Sequence, residues 1–261
     1  MKTTFKTLII AAAVLVLASF SPIREASAEL TAKANHDHIT IDSFYHGSEV
    51  SVRGICDPDV ELVVKITSPE AHQSLKEKGK VGGFLWMNVG TLEIKNTPNL
   101  YMLRDTKDVS KLMASEELDK YIIGYPALSR HAELAPVADA ATKDKWFGEF
   151  IKFKEHSKLF ESTDGGFTFG DSGGKHTYYM KFAWPYQAPP GGYLVTVYAI
   201  KNGKVMEQAT SKVLVEQVGV VKYLANMAKN NGALYGMFSI LAALGAGFGV
   251  GLVFKKGGGA H

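Results

Sequence analysis

The chain has 261 residues, 46% of them apolar, with 29 Lys and Arg against 26 Asp and Glu for a formal net charge of +3. Residues 1–28 hold three basic residues and one acidic residue, and residues 229–261 hold three basic and none, which leaves 23 basic against 25 acidic in between; this interspersed mixture excludes a nucleic-acid surface, which needs clustered Lys and Arg. The single cysteine, Cys56, excludes an intrachain disulfide framework, so the fold has to stand on an apolar core.

Residues 1–28 read as a cleaved secretory signal. Lys2 and Lys6 precede an apolar run over residues 8–20, and Ala26, Ser27 and Ala28 supply the small residues of a cleavage site. The run is only about 13 residues, short of the roughly 20 that a membrane span needs. Residues 29–217 are then one extracytoplasmic domain.

Within that domain, residues 38–67 alternate as strands do, through Ile39 and Ile41, Val50 and Val52, then Val60, Leu62, Val63, Val64 and Ile66. A matching block follows at residues 178–183, 193–200 and 205–215, with Asn202 and Gly203 as a tight hairpin turn. Short strands at spacings near ten residues predict an Ig-like antiparallel β-sandwich, and the chain as mainly β. Between the two blocks the spacing becomes helical. Val109, Leu112 and Met113, and then Trp146, Phe147, Phe150, Ile151 and Phe153, predict two or three helices in an insertion at about 107–160. The aromatic face of the second of these either covers one side of the sandwich or docks a partner helix.

Residues 218–232 form a juxtamembrane segment with Val221, Leu224 and Met227 on one face of a short helix. Residues 233–254 are uncharged, and as a helix they cover about 33 Å, enough to cross a hydrocarbon core of about 30 Å. Lys255 and Lys256 follow at once, opening a tail over 255–261. The positive-inside tendency places this tail in the cytoplasm and the domain in the periplasm, anchored by a single pass in a bacterial inner membrane. No ionisable residue lies in 233–254, so the span is an anchor or contact surface rather than an ion path. Gly245, Gly247, Gly249 and Gly251 give two overlapping Gly-x-x-x-Gly pairs, which permit homo- or hetero-association through the span.

Chemistry-bearing motifs are few. Gly170-Asp171-Ser172-Gly173-Gly174 carries the letters of a trypsin-like nucleophile loop, but His36, His38 and His46 lack the sequence setting of that family's base and the helical insertion does not fit its barrels. His36 and His38, two apart, would share one side of a strand as a pair of metal ligands, with Asp37, His46 or a distant carboxylate needed to complete a site. Met87, Met102, Met113 and Met180 form no local copper-like cluster, no haem-attachment motif is present, and residues 79–83 lack the ending of a phosphate loop. No cofactor is expected.

Several blocks resemble one family when taken in order. These are Phe44-x-x-Gly47 with Val52-x-Gly54, Trp86-x-Asn88, Pro98-x-x-Tyr101, residues 150–160, Pro190-x-Gly192-Tyr193-x-Val195-x-Val197-Tyr198, and Leu234-Tyr235-Gly236. Together they are similar to a group of bacterial transmembrane proteins of unassigned activity, first described from alphaproteobacteria. The resemblance implies a secreted ectodomain with one carboxy-terminal span. Members often lie near genes for membrane exporters of the sulfite and sulfonate type, which implies an integral-membrane partner. The chain departs from the commoner pattern in two places. Leu85-Trp86-Met87-Asn88 replaces an Ile-Trp-Val-Asn type of run, and Lys76, Lys78 and Lys80 replace an Arg-rich stretch, which weakens any anion-binding role because lysine lacks the bidentate fork of arginine. Trp86, Asn88, Pro98 and Tyr101 are the candidate ligand- or partner-binding residues. The competing reading has Trp86 in the core, Asn88 starting a turn and Pro98 at a strand edge.

The expectation is a non-catalytic binding or assembly module, an accessory subunit beside an integral-membrane export or redox protein. The alternatives are a periplasmic solute- or metal-binding protein using the histidines or the Trp86 region, and, more remotely, an envelope hydrolase using Ser172.

Overall fold

Two β-sheets face each other across an apolar core in the computed structural model, which describes residues 30–137 and 139–255. The signal peptide expected at 1–28 and the tail from Lys256 onward lie outside the described residues. The first sheet has four strands in the order β1 (Lys33–Ala34), β3 (Ser48–Ile55), β11 (Lys175–Trp184), β10 (Thr168–Ser172). The second has six, in the order β2 (His38–Ile41), β13 (Lys204–Gln217), β12 (Gly191–Lys201), β4 (Glu61–Thr67), β7 (Tyr101–Asp105), β9 (Phe160–Asp164).

Alternation along the strands builds the core between these sheets. Val50, Val52, Met180, Phe182 and Trp184 of the first sheet meet Val64, Ile66, Val195, Val197, Val213 and Val215 of the second, all of them buried. Each such side chain contributes about 1.5–3 kcal/mol relative to exposure. Gly54 permits a close crossing here: a Cβ on it would lie 1.8 Å from the carbonyl oxygen of Thr31 and 2.7 Å from the Tyr178 hydroxyl. The glycine that closes the first family-like block is therefore required by backbone proximity.

The central strands β4, β7 and β12 of the six-stranded sheet are buried on both faces, because helices cover their other side. Residues 109–156 supply α1 (Val109–Leu112), α2 (Ser115–Tyr121), α3 (Tyr125–His131) and α4 (Ala140–His156), with the short β8 (Glu133–Ala135) between the last two. Phe147, Phe150 and Ile151 of α4 and Leu128 of α3 pack with Val63, Leu103 and Tyr198 of the sheet. Phe150 meets Phe160 edge to face at 5.6 Å. The aromatic face of α4 thus covers the sheet, as the first of the two sequence readings has it. Asp139 caps α4, its carboxylate accepting from the Thr142 amide at 2.8 Å.

Two features depart from an antiparallel Ig-like arrangement. β2 pairs with β13, and β7 with β9, in parallel, so the larger sheet is mixed. The second departure is a hairpin absent from the sequence expectation, β5 (Glu70–Val81) with β6 (Leu85–Pro98), whose base joins β8 in a third sheet. At about 3.4 Å per residue this arm is roughly 40 Å long. Its three-residue tip turns through Gly82 and Gly83, both at positive φ (63° and 82°), a region that costs glycine no Cβ clash.

After β13 the chain forms α5 (Gly219–Asn230) and then α6 (Gly232–Lys255). The stretch Gly232–Leu252 is long and apolar enough to cross a membrane, and none of its most apolar window is buried against the rest of the protein.

Candidate functional site

The hairpin arm places Trp86 and Asn88 far from Pro98 and Tyr101. All but Tyr101 lie on β6, and the twelve residue steps from Trp86 to Pro98 span about 40 Å of strand. They do not converge on one site.

Tyr101 is fully buried on β7 and acts as a clamp. Its hydroxyl accepts from the Gly124 amide at 2.7 Å and donates to the Ile122 carbonyl at 3.2 Å, fixing the link between α2 and α3, where Ile122 takes a left-handed conformation (φ 50°). Its ring lies 5.8 Å from that of Phe160, and burial pushes its pKa well above the usual tyrosine range. Pro98 is buried at the end of β6, where Gln73 Nε2 donates to its carbonyl at 3.2 Å. Both are held inside the fold.

Trp86 is 64% exposed, so it does not fill the core, and Asn88 lies within a strand rather than starting a turn. Cross-strand register pairs Lys80 with Trp86, Lys78 with Asn88 and Lys76 with Thr91, which puts these six side chains on one face of the ribbon. Lys76 Nζ donates to Thr91 Oγ1 at 2.8 Å, and Lys80 Nζ stands 5.3 Å from the Trp86 ring centroid, within cation–π range. The other face carries Val81, Leu85, Met87 and Val89, each roughly half exposed, with Phe84 at the tip 83% exposed. Gly79 lies under Val89, whose methyl carbon would stand 2.8 Å from a Cβ there. A register shift beside Glu77 and Lys78 leaves Val89 as the extra residue of a β-bulge.

The apolar face continues one that is covered at the base. Leu75, Leu92 and Ile94 occupy the same side and pack into the core beneath the helices, beside Leu134 of β8. Beyond Glu77 that side has no cover from the described residues. Sequence reasoning singled out Trp86 and Asn88 but missed the arm that displays them; the signal available was the glycine pair Gly82-Gly83 between a lysine-alternating run and an apolar one.

The other sequence candidates are held apart. His36 lies in the bend between β1 and β2 while His38 opens β2, so the shared strand face assumed for the pair does not exist. His38 Nε2 instead faces Glu216 at 3.2 Å. Among the described residues no group of three His, Cys, Asp or Glu side chains is placed to hold a metal ion. Ser172 ends β10, and the glycines after it make the turn into β11. His176 Nδ1 pairs with Asp171 at 3.0 Å, and because Asp171 and Ser172 are neighbours on a strand they project to opposite faces, which keeps the serine hydroxyl away from that histidine. Gly245, Gly247, Gly249 and Gly251 lie on α6 with open space where each Cβ would be. Residues two apart on a helix are about 200° apart, so the pair Gly245/Gly249 and the pair Gly247/Gly251 form two nearly opposite faces.

A cleft of about 680 Å³, unmarked by any motif, lies between the end of α4 and the link from β11 to β12. His46, His156, Glu161, Trp184 and Tyr186 are among its lining residues. The indole nitrogen of Trp184 is buried there without a hydrogen-bond partner, its ring edge-to-face with Tyr193 at 4.8 Å.

No curated protein matches the chain. A family model described as "Putative transmembrane protein (Alph_Pro_TM)" matches residues 29–256, which takes in both sheets, the arm, the helical cover and the span. The chain belongs to this transmembrane protein family.

Proposed function

We propose that the chain is a non-catalytic, single-pass membrane module whose β domain lies in the periplasm, whose carboxy terminus lies in the cytoplasm, and which works as an accessory subunit beside an integral-membrane export or redox protein. The observation that carries this reading is the span itself. It is no core helix of the domain, since none of its most apolar window is buried, and its surface is left to lipid and to another span. The helix holds the domain next to whatever shares the membrane plane, which raises the effective concentration of a partner without further contacts. Gly245 with Gly249, or Gly247 with Gly251, gives a backbone-close face on which a second helix packs.

Extraction of the native membrane in mild detergent, purification through a carboxy-terminal tag and mass spectrometry test this. An integral-membrane protein at a fixed ratio, lost on Gly245→Leu with Gly249→Leu or on Gly247→Leu with Gly251→Leu, is expected. A solitary chain from wild-type membranes contradicts it. The cleft beside Trp184 favours a second reading, the binding of a small solute, because aromatic side chains line it.

A further inference from the structure

The uncovered face of the arm sits at a defined end of the domain. Register sets Tyr101, Thr67, Leu194 and Lys212 side by side across the six-stranded sheet. β4 and β13 are both antiparallel to β12, so they run in the same direction and leave the sheet at the same end. β4 leads from Thr67 into the arm, and β13 leads from Gln217 into α5 and the span. The turn at Asn202 and Gly203 lies at the opposite end. The arm therefore springs from the end of the domain that gives rise to the membrane anchor.

Its chemistry suits what lies at that end. Residues 81–89 carry no charge and include Phe84, Leu85, Trp86 and Met87. Lys76, Lys78 and Lys80 flank them on the opposite face, with Glu77 the only acidic residue between 71 and 92. A two-stranded ribbon alone is marginal in water, so the distal arm needs a surface to lie on. Anionic headgroups complement the three lysines, the lipid–water boundary accepts apolar side chains to a depth of about 5–10 Å, and tryptophan is favoured at headgroup level.

We propose that the distal arm is a lipid-binding device. Val81, Phe84, Leu85, Met87 and Val89 lie in the headgroup and acyl boundary of the membrane that holds α6, and Lys76, Lys78 and Lys80 reach anionic lipid phosphates. The proposal rests on the anchoring of the chain and not on the protein partner above. Because α6 already holds the domain at the bilayer, a small apolar area suffices for a stable contact.

The test uses the full chain reconstituted in phosphatidylcholine vesicles with and without phosphatidylglycerol. An environment-sensitive fluorophore is placed at Met87→Cys, and for comparison at Lys204→Cys beside the far turn. Cys56 stays unlabelled, since it is 1% exposed and burial, followed by Asp57, pushes its thiol up to about 11. The expected result is quenching of the position-87 probe by lipid carrying a nitroxide near its headgroup and protection from aqueous dithionite, with neither at position 204. Replacing Lys76, Lys78 and Lys80 by Gln should weaken the contact in phosphatidylglycerol vesicles alone, by about fivefold per lysine. Equal dithionite rates at positions 87 and 204 overturn the proposal. So does a position-87 probe that is shielded from dithionite yet untouched by the nitroxide lipid, which would mean that a second copy or another protein covers the arm. Co-flotation with the vesicles reads the anchor separately: a chain that floats with an unquenched arm overturns the arm alone, and a chain that fails to float overturns anchoring as well.

Discussion

Lys80 stands directly across the hairpin from Trp86, its ammonium 5.3 Å from the ring centroid, on the face of the arm that looks away from Met87. This pair joins charge and aromatic surface at the tip of a ribbon that the rest of the described protein leaves bare. It also separates two residues that the sequence groups together, Trp86 on the arm and Tyr101 in the core.

That separation is measurable. Trp86→Ala should change unfolding stability in detergent by no more than about 0.5 kcal/mol, as for other exposed positions. Tyr101→Phe should cost about 1–3 kcal/mol, because the Gly124 amide loses its partner inside the fold and the Ile122 carbonyl keeps only the 3.4 Å contact from Lys65. Chemical unfolding of the two variants side by side checks both values.

Gly54 offers a second contrast. A methyl group there meets backbone, the Thr31 carbonyl oxygen, which cannot rotate away as a side chain would. Gly54→Ala should cost about 3 kcal/mol or more and lower the yield of folded protein. Gly192→Ala, where no atom lies within 4 Å of the added Cβ, should be tolerated; thermal unfolding compares them.

Asp105 and Asp164 are register partners across the parallel β7–β9 pair. Burial, followed by the neighbouring Asp164 carboxyl, pushes Asp105 up to about 7. Its folded pKa lies above the unfolded value of about 3.9, so the native state holds this proton more tightly. The associated stability is fully present below about pH 4 and is lost as pH rises through about 7. Asp105→Asn should remove that slope and gain on the order of 1–3 kcal/mol at pH 8, with little change near pH 4. Unfolding midpoints measured across this range decide the point.

The two glycine faces of the span should separate in function. If one partner helix packs there, leucine at Gly245 and Gly249 or leucine at Gly247 and Gly251, but not both pairs, should abolish association, because the faces are about 200° apart. Cysteine cross-linking within the membrane reads which face is used.

Most of the sandwich was legible in the sequence because its strands alternate cleanly. Val50 and Val52, Val195 and Val197, and Val213 and Val215 point into the core in the register that the period of two requires. The aromatic spacing of α4 was legible for the same reason. The parallel pairings of β2 and β9 were hidden, since strand order depends on long-range contacts that leave no local period. α3 was obscured by Pro126, which sits at its first turn, where proline is tolerated. The arm was hidden because its distal half has no buried side: lysines alternate along β5 while β6 opens on a run of apolar residues, so neither strand shows the usual in–out pattern. Trp86 illustrates the result. An aromatic residue in an apolar run ordinarily signals core, and here it signals an outer surface.

In the proposed orientation the β domain and its arm stand on the outer face of the membrane that α6 crosses. A membrane-impermeant maleimide applied to cells with a permeabilised outer membrane tests it, with cysteine placed at Lys204 in one variant and at His261 in another. Labelling at position 204 without lysis, and at position 261 only after the inner membrane is opened, is the predicted result. Labelling of position 261 from outside with position 204 protected would contradict the account.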